Sequence, residues 1–211
     1  PMLYYYRAYY QQKIDGTSEA GAVTTENTIL SEKTIKLLES AENCPSDYCF
    51  PNKLEDIAVL DFAIQNRCRK KAPYYLGNLY YDKLQWEKAV RLWEMSAAAE
   101  PDFAIVHRNL ALAYYNKCKD AVRAQESMEK AFALNPGDAR IFLELDQLYK
   151  KLGWTFDQRL QNCEAHSELL RDRDDLYIEY ITLLNLTGHY QKACDCMMEH
   201  HFHAWEGGEG K

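Results

Sequence analysis

Two stretches of this sequence repeat one pattern at a fixed distance. Residues 72–81 read Ala-Pro-Tyr-Tyr-Leu-Gly-Asn-Leu-Tyr-Tyr, and Gln85 to Trp93 and Glu100-Pro101 follow. The second copy runs from Asn109 to Tyr115, through Ala124, Met128 and Ala131, to Asn135-Pro136. Leu76 to Leu110 and Tyr80 to Tyr114 each span 34 residues. Ala89 to Ala124, Trp93 to Met128 and Pro101 to Pro136 each span 35, so the second copy carries one extra residue near Lys117-Cys118-Lys119. A period of this length predicts stacked helical hairpins, because one unit cannot bury its apolar faces alone and about three or more must stack.

The spacing has a packing logic. Gly77 and Ala111 are small, so a partner helix can approach closely, and Ala89 and Ala124 serve the same contact from the other side. Tyr80, Trp93 and Tyr114 fill the space beside them. The prolines end each second helix, since the residue before a proline is pushed out of the α region.

Leu76-Gly77-x2-Tyr80, Ala89-x3-Trp93 and Pro101 resemble the tetratricopeptide signature, and the second copy resembles it with softer residues. The tryptophan that opens the motif is replaced by Pro73 and His107. The resemblance implies an all-α fold, a right-handed superhelix (solenoid) of antiparallel helix hairpins with about eleven helices.

Four regions follow. Residues 1–70 are expected to be N-terminal helices in degenerate units: one over 2–13 with Tyr6, Tyr9 and Tyr10 on one face, a connection over 14–26, a second helix over 26–41, and a third opening at Pro51. Residues 71–137 hold the two clear repeats. Residues 138–199 hold two degenerate units. The first opens on a helix capped by Asp138, with Asp146 at the small position and no Ala-x3-Phe element over Phe156 to Cys163. The second regains Gly188-x-Tyr190-x2-Ala193. Residues 200–211 contain three glycines and no helical period, which predicts an extended tail. Phe202 and Trp205 are large apolar groups that a flexible Gly-rich linker would lack. They are expected to dock, either around Tyr180, Leu184 and Met197 or on a neighbouring domain.

Residues 48–211 also resemble the repeat region of large bacterial proteins that carry an uncharacterised β domain similar to sugar mutarotases. Trp205-Glu-Gly-Gly-Glu-Gly210 is the most specific element, although proline usually stands where Ala204 does here. This resemblance implies a carbohydrate context for a parent protein, with this chain as an accessory part whose catalytic domain lies outside it. The chain opens on Pro1 rather than Met, from which a piece of a longer protein is expected.

Composition narrows the function classes. A net charge of −7 argues against nucleic acid, which requires a basic face. No run of about 18 apolar residues is present to span a membrane. Seven cysteines without a C-x-x-C pair read as reduced thiols of a cytoplasmic protein. His200, His201 and His203 are the candidate metal ligands, but no acidic or cysteine partner has a fitted spacing, and we expect no metal and no cofactor. Gly207-Gly208-x-Gly210 lacks the strand and helix that a phosphate loop needs. No nucleophile or acid–base pattern appears, so no enzymatic activity is expected.

Surface recognition remains. In this repeat class the first helix of each pair lines the concave face. The residues expected there are Tyr74, Asn78 and Tyr81, then Arg108, Leu112 and Tyr115, then Arg140, Leu143, Gln147 and Lys150. Relatives that grip acidic C-termini begin this helix with Lys-x3-Asn, whereas Tyr74 precedes Asn78 here. The expected partner is a protein or peptide segment, or an adjoining domain.

Overall fold

A computed structural model describes residues 1–18 and 30–203. Every regular element among them is helical. None of these helices is long and apolar enough to cross a membrane. The chain divides into two compact units, residues 1–106 and 107–211.

The first unit begins with α1 (Met2–Ser18), α2 (Glu32–Asn43) and α3 (Leu54–Gln65). Helix α1 buries Tyr5 and Ala8 fully and leaves Tyr10 exposed, so the expected Tyr6/Tyr9/Tyr10 face is turned by about one residue. Tyr6 still donates its hydroxyl to Asp56 at 2.8 Å, and Tyr9 meets the Phe62 ring at 5.6 Å. The helix runs four residues past Ile14, where a connection was expected. A Gln11–Asp15 hydrogen bond of 2.7 Å supports its last turns. Helix α2 starts only at Glu32, because Ser31 caps it by accepting from the Thr34 amide at 3.2 Å. Residues 26–29, expected to open this helix, lie outside the described residues. Helix α3 starts at Leu54 rather than at Pro51. Asp56 accepts from the Asn52 and Lys53 amides at 2.9 and 2.8 Å, which holds the preceding chain extended.

Helices α4 (Lys71–Asp82) and α5 (Trp86–Ala99) form the hairpin of the first clear repeat. No side chain of its own caps α4. Instead Glu42 of α2 accepts from the Lys70, Lys71 and Ala72 amides at 2.8, 3.2 and 3.0 Å and from the Tyr5 hydroxyl at 2.5 Å. A carboxylate there satisfies orphan amides and opposes the positive end of the helix dipole.

Helix α6 (Ala104–Ala113) runs from the end of the first unit into the second. The second unit continues with α7 (Ala121–Leu134), α8 (Ala139–Lys151), α9 (Phe156–Ala165), a 3₁₀ turn (Ser167–Asp172), α10 (Asp174–Leu186) and α11 (Tyr190–Glu199). Asp138 caps α8, accepting from the Arg140 and Ile141 amides at 2.9 and 3.1 Å.

The turns inside the hairpins share one design. Leu84, Gly153 and Gly188 take positive φ of 61°, 83° and 83°. One residue later the amide reaches back five residues: Gln85 to the Tyr80 carbonyl, Trp154 to Tyr149 and His189 to Leu184, at 2.8, 3.0 and 2.8 Å. The second repeat has one residue more. Residues Tyr114–Cys118 form a π-helical turn, Lys119 takes φ 58°, and the Asp120 amide reaches back six residues to the Tyr114 carbonyl at 2.9 Å. This wider turn is where the step from 34 to 35 residues is absorbed.

Leu84 is exposed in a conformation that costs an L-residue about 1–2 kcal/mol, whereas glycine gives back only part of that as chain entropy. Leu84→Gly is therefore expected to stabilise the protein by about 1 kcal/mol and raise its melting point by about 2–4 °C. Gly188→Ala should act in the opposite direction. A lower melting point for Leu84→Gly, measured by circular dichroism, contradicts the assigned turn.

Candidate partner-binding site

In the first unit the three expected first-helix residues gather around one indole. Trp93 of α5 is buried and lies over Gly77. Its Nε1 donates to the Asn78 Oδ1 at 3.0 Å and towards the Tyr74 carbonyl at 3.3 Å. The Tyr81 ring stands 5.2 Å away, and burial pushes the Tyr81 phenol up. Tyr74 is itself buried, its ring 5.0 Å from Phe103. Tyr74 is thereby corrected from its assignment to an open face, whereas Asn78 and Tyr81 are half-buried and hold the indole from its rim.

In the second unit the residues divide. Leu143 is buried, which is a second correction. Arg108 makes a bidentate pair with Glu144 of α8, its Nε at 2.6 Å, and both side chains are largely covered. Arg140 reaches the same carboxylate at 3.4 Å and stays exposed. Lys150 donates to Glu179 of α10 at 2.8 Å. Leu112 and Tyr115 of the α6 arm, with Gln147 of α8, line a small cleft of about 40 Å³ together with Glu144 and Lys151. The Lys151 ammonium lies 5.4 Å from the Tyr115 ring centroid, close enough for a cation–π contact. Gln147 is exposed, while Leu112 and Tyr115 are half-buried. This cleft is the part of the expected face that offers apolar, amide and charged groups together.

The start of the tail lies against α10. Asp174 is buried at the head of that helix. It bonds the His200 Nε2 at 2.7 Å and accepts from the His203 amide at 2.5 Å. The His200 and His203 contacts hold its carboxyl below the usual range. Phe202 is half-buried, with its ring 4.6 Å from His200 and 6.3 Å from Tyr177. The neighbour is thus Tyr177 rather than Tyr180, Leu184 and Met197, because Asp174 draws the chain to the first turn of α10. Trp205 and the Trp205–Gly210 run lie outside the described residues. No cluster of three or more His, Cys, Asp or Glu with metal-holding geometry occurs among the described residues. All seven cysteines are free thiols.

One buried network escaped the sequence reading. Arg159 of α9 is 1% exposed and makes two hydrogen bonds to Asp146, which is fully buried, at 3.0 and 2.5 Å. The same guanidinium reaches Glu179 at 2.6 Å. Burial pushes the Asp146 carboxyl up, against the pull of Arg159. Burial pulls Glu179 up too, but Lys150 and Arg159 outweigh it and hold that carboxyl below its usual range. In the 35-residue register Asp146 stands where Gly77 and Ala111 stand, and Arg159 where Ala89 and Ala124 stand. An ion pair has replaced the contact between small residues.

No family model matches the sequence. Two crystal structures of MamA are similar to it. One superposes with a TM-score of 0.57 at 16% identity, covering 68% of this chain and 83% of that one. The other gives 0.55 at 16%, covering 68% and 78%. The first tetratricopeptide domain of Spaghetti (RPAP3), solved with the HSP90 peptide SRMEEVD, aligns at a TM-score of 0.46 and 17% identity, covering 64% and 96%. At these identities the likeness speaks to the fold alone. The protein is an all-α, tetratricopeptide-like helical-repeat protein.

Proposed function

We propose that the chain is a non-catalytic scaffold that binds a protein or peptide segment at the α6–α8 cleft. The observation that carries this reading is the meeting of Leu112, Tyr115 and Gln147 at one depression beside Glu144 and Lys151. Most of the other first-helix residues are already engaged within their own units. An aromatic ring, an aliphatic floor and an amide suit a short anchor whose backbone pairs with Gln147. Tyrosines in such positions commonly dominate binding energy. The fold supports the reading, since stacked helical hairpins offer extended surfaces for partners.

The test is a selection of peptides from a random display library on the whole chain, followed by fluorescence anisotropy. Tyr115→Ala and Gln147→Ala are each expected to weaken the selected peptides about tenfold, equivalent to about 1.4 kcal/mol. Val122→Ala, at an exposed position of α7, should leave them unchanged. Failure to select any binder, or binders indifferent to both cleft variants, overturns the assignment.

A further inference from the structure

A cleft in the first unit is unrelated to the α6–α8 depression. It measures about 620 Å³ and lies between α2 and the connection from α3 to α4. Its apolar lining is aliphatic: Leu38 is buried at its base, with Leu30, Ile35 and Ala99 around it. Along one edge stand Arg67, Arg69 and Lys70, all exposed. None of these three cations has an ion pair among the described residues, in a chain of net charge −7. Arg69 donates to the Met95 sulfur at 3.1 Å.

The edge is rigid. Arg67 takes φ 72° and closes α3, with the Cys68 amide bonded to the Ala63 carbonyl at 3.0 Å. Glu42 clamps the Lys70, Lys71 and Ala72 amides, so its carboxylate is already committed. Among the described residues of the lining, Glu39 is then the other acid, against three cations. A cleft of this volume falls within the range of small-ligand sites, which pair a mostly apolar lining with a few placed polar groups.

We propose that this cleft binds an alkyl chain bearing one anionic head group, a carboxylate or a phosphate. The guanidinium groups match either head group in geometry and charge. The aliphatic lining takes the chain, which asks for no hydrogen bonds. A peptide fits less well, because its buried amides would need partners that the aliphatic lining lacks. Of the two amide side chains in the lining, Asn66 already donates to the Phe62 carbonyl at 2.7 Å.

The experiment titrates the whole chain with decanoate and with decyl phosphate, below the concentrations at which either self-associates, by isothermal calorimetry. One-to-one saturation is expected for at least one of them, and the tighter of the two identifies the head group. The R67Q/R69Q/K70Q variant should bind at least tenfold more weakly. So should Ala99→Phe, which adds bulk to the apolar lining and leaves the cations in place. Decanol, without the charge, and acetate, without the chain, should each fall at least tenfold below the better ligand. Melting curves confirm that both variants remain folded. Absence of saturation, equal binding by wild type and the folded variants, or an acidic peptide matching the alkyl anions would each overturn the proposal.

Discussion

Arg159→Ala is expected to destabilise the protein by about 3–5 kcal/mol, the usual cost of breaking a buried ion pair from one side. Asp146 is fully buried, and Arg159 supplies two of its hydrogen bonds. Without the guanidinium, its carboxyl must stay charged in a poorly solvated place or take up a proton. At about 2–4 °C per kcal/mol for a chain of this size, the melting point should drop by roughly 6–20 °C. The double variant Asp146→Leu/Arg159→Met separates net worth from the penalty of orphaning. It keeps the volume and removes both charges, so it should be near neutral or more stable by about 1–4 kcal/mol. Glu179 retains Lys150 in that variant. A double variant as unstable as Arg159→Ala shows that the pair is worth more than apolar packing. A single variant that melts with the wild type shows that the pair is not closed in solution.

Gly77→Leu should come second, at about 1–3 kcal/mol from overpacking. Even a bare Cβ at this position would stand 2.5 Å from the Trp93 Nε1 and 2.6 Å from its Cδ1. The indole cannot simply swing aside, because Asn78 and the Tyr74 carbonyl hold its nitrogen and Tyr81 lies against its ring. Behind it the Ala89 carbonyl would be 3.2 Å away. Gly77→Ala recovers about 1 kcal/mol of helix propensity and so should be milder than Gly77→Leu. Lys88→Ala, exposed on α5, serves as the control and should cost under about 0.5 kcal/mol. Equal melting points for Gly77→Leu and Lys88→Ala would rule out the close contact.

The repeat fold was legible because its contacts demand small side chains at fixed intervals. Gly77, Ala89, Ala111 and Ala124 carry that demand without ambiguity. The same register could have exposed the buried pair. An acid at position 146 and a base at position 159, both at small-residue positions, point to each other once the two positions are known to touch. Reading the third unit as degenerate hid a change of chemistry at an unchanged contact. The α1–α3 region was less legible, since its ends depend on distant groups: Asp56 fixes the lead-in to α3 and Glu42 caps α4 from another helix. The first-helix face was only partly readable. Tyr74, Asn78 and Tyr81 recur at helical spacing, and spacing cannot distinguish a side chain that meets a partner from one that holds an indole. Arg108 looked available because its partner, Glu144, lies 36 residues further along the sequence.

The π-helical turn at Tyr114–Cys118 bears on how such a chain can change length. An added residue here widens one loop of hydrogen bonds instead of rotating the helix that follows. Ala124 and Met128 therefore still face inward, fully buried, as Ala89 and Trp93 do one unit earlier. Hairpin turns of this kind act as slack in the chain. Insertions and deletions can be accepted there without resetting the phase of the packed faces, which is one physical route by which repeats drift apart in sequence and keep the same buried positions.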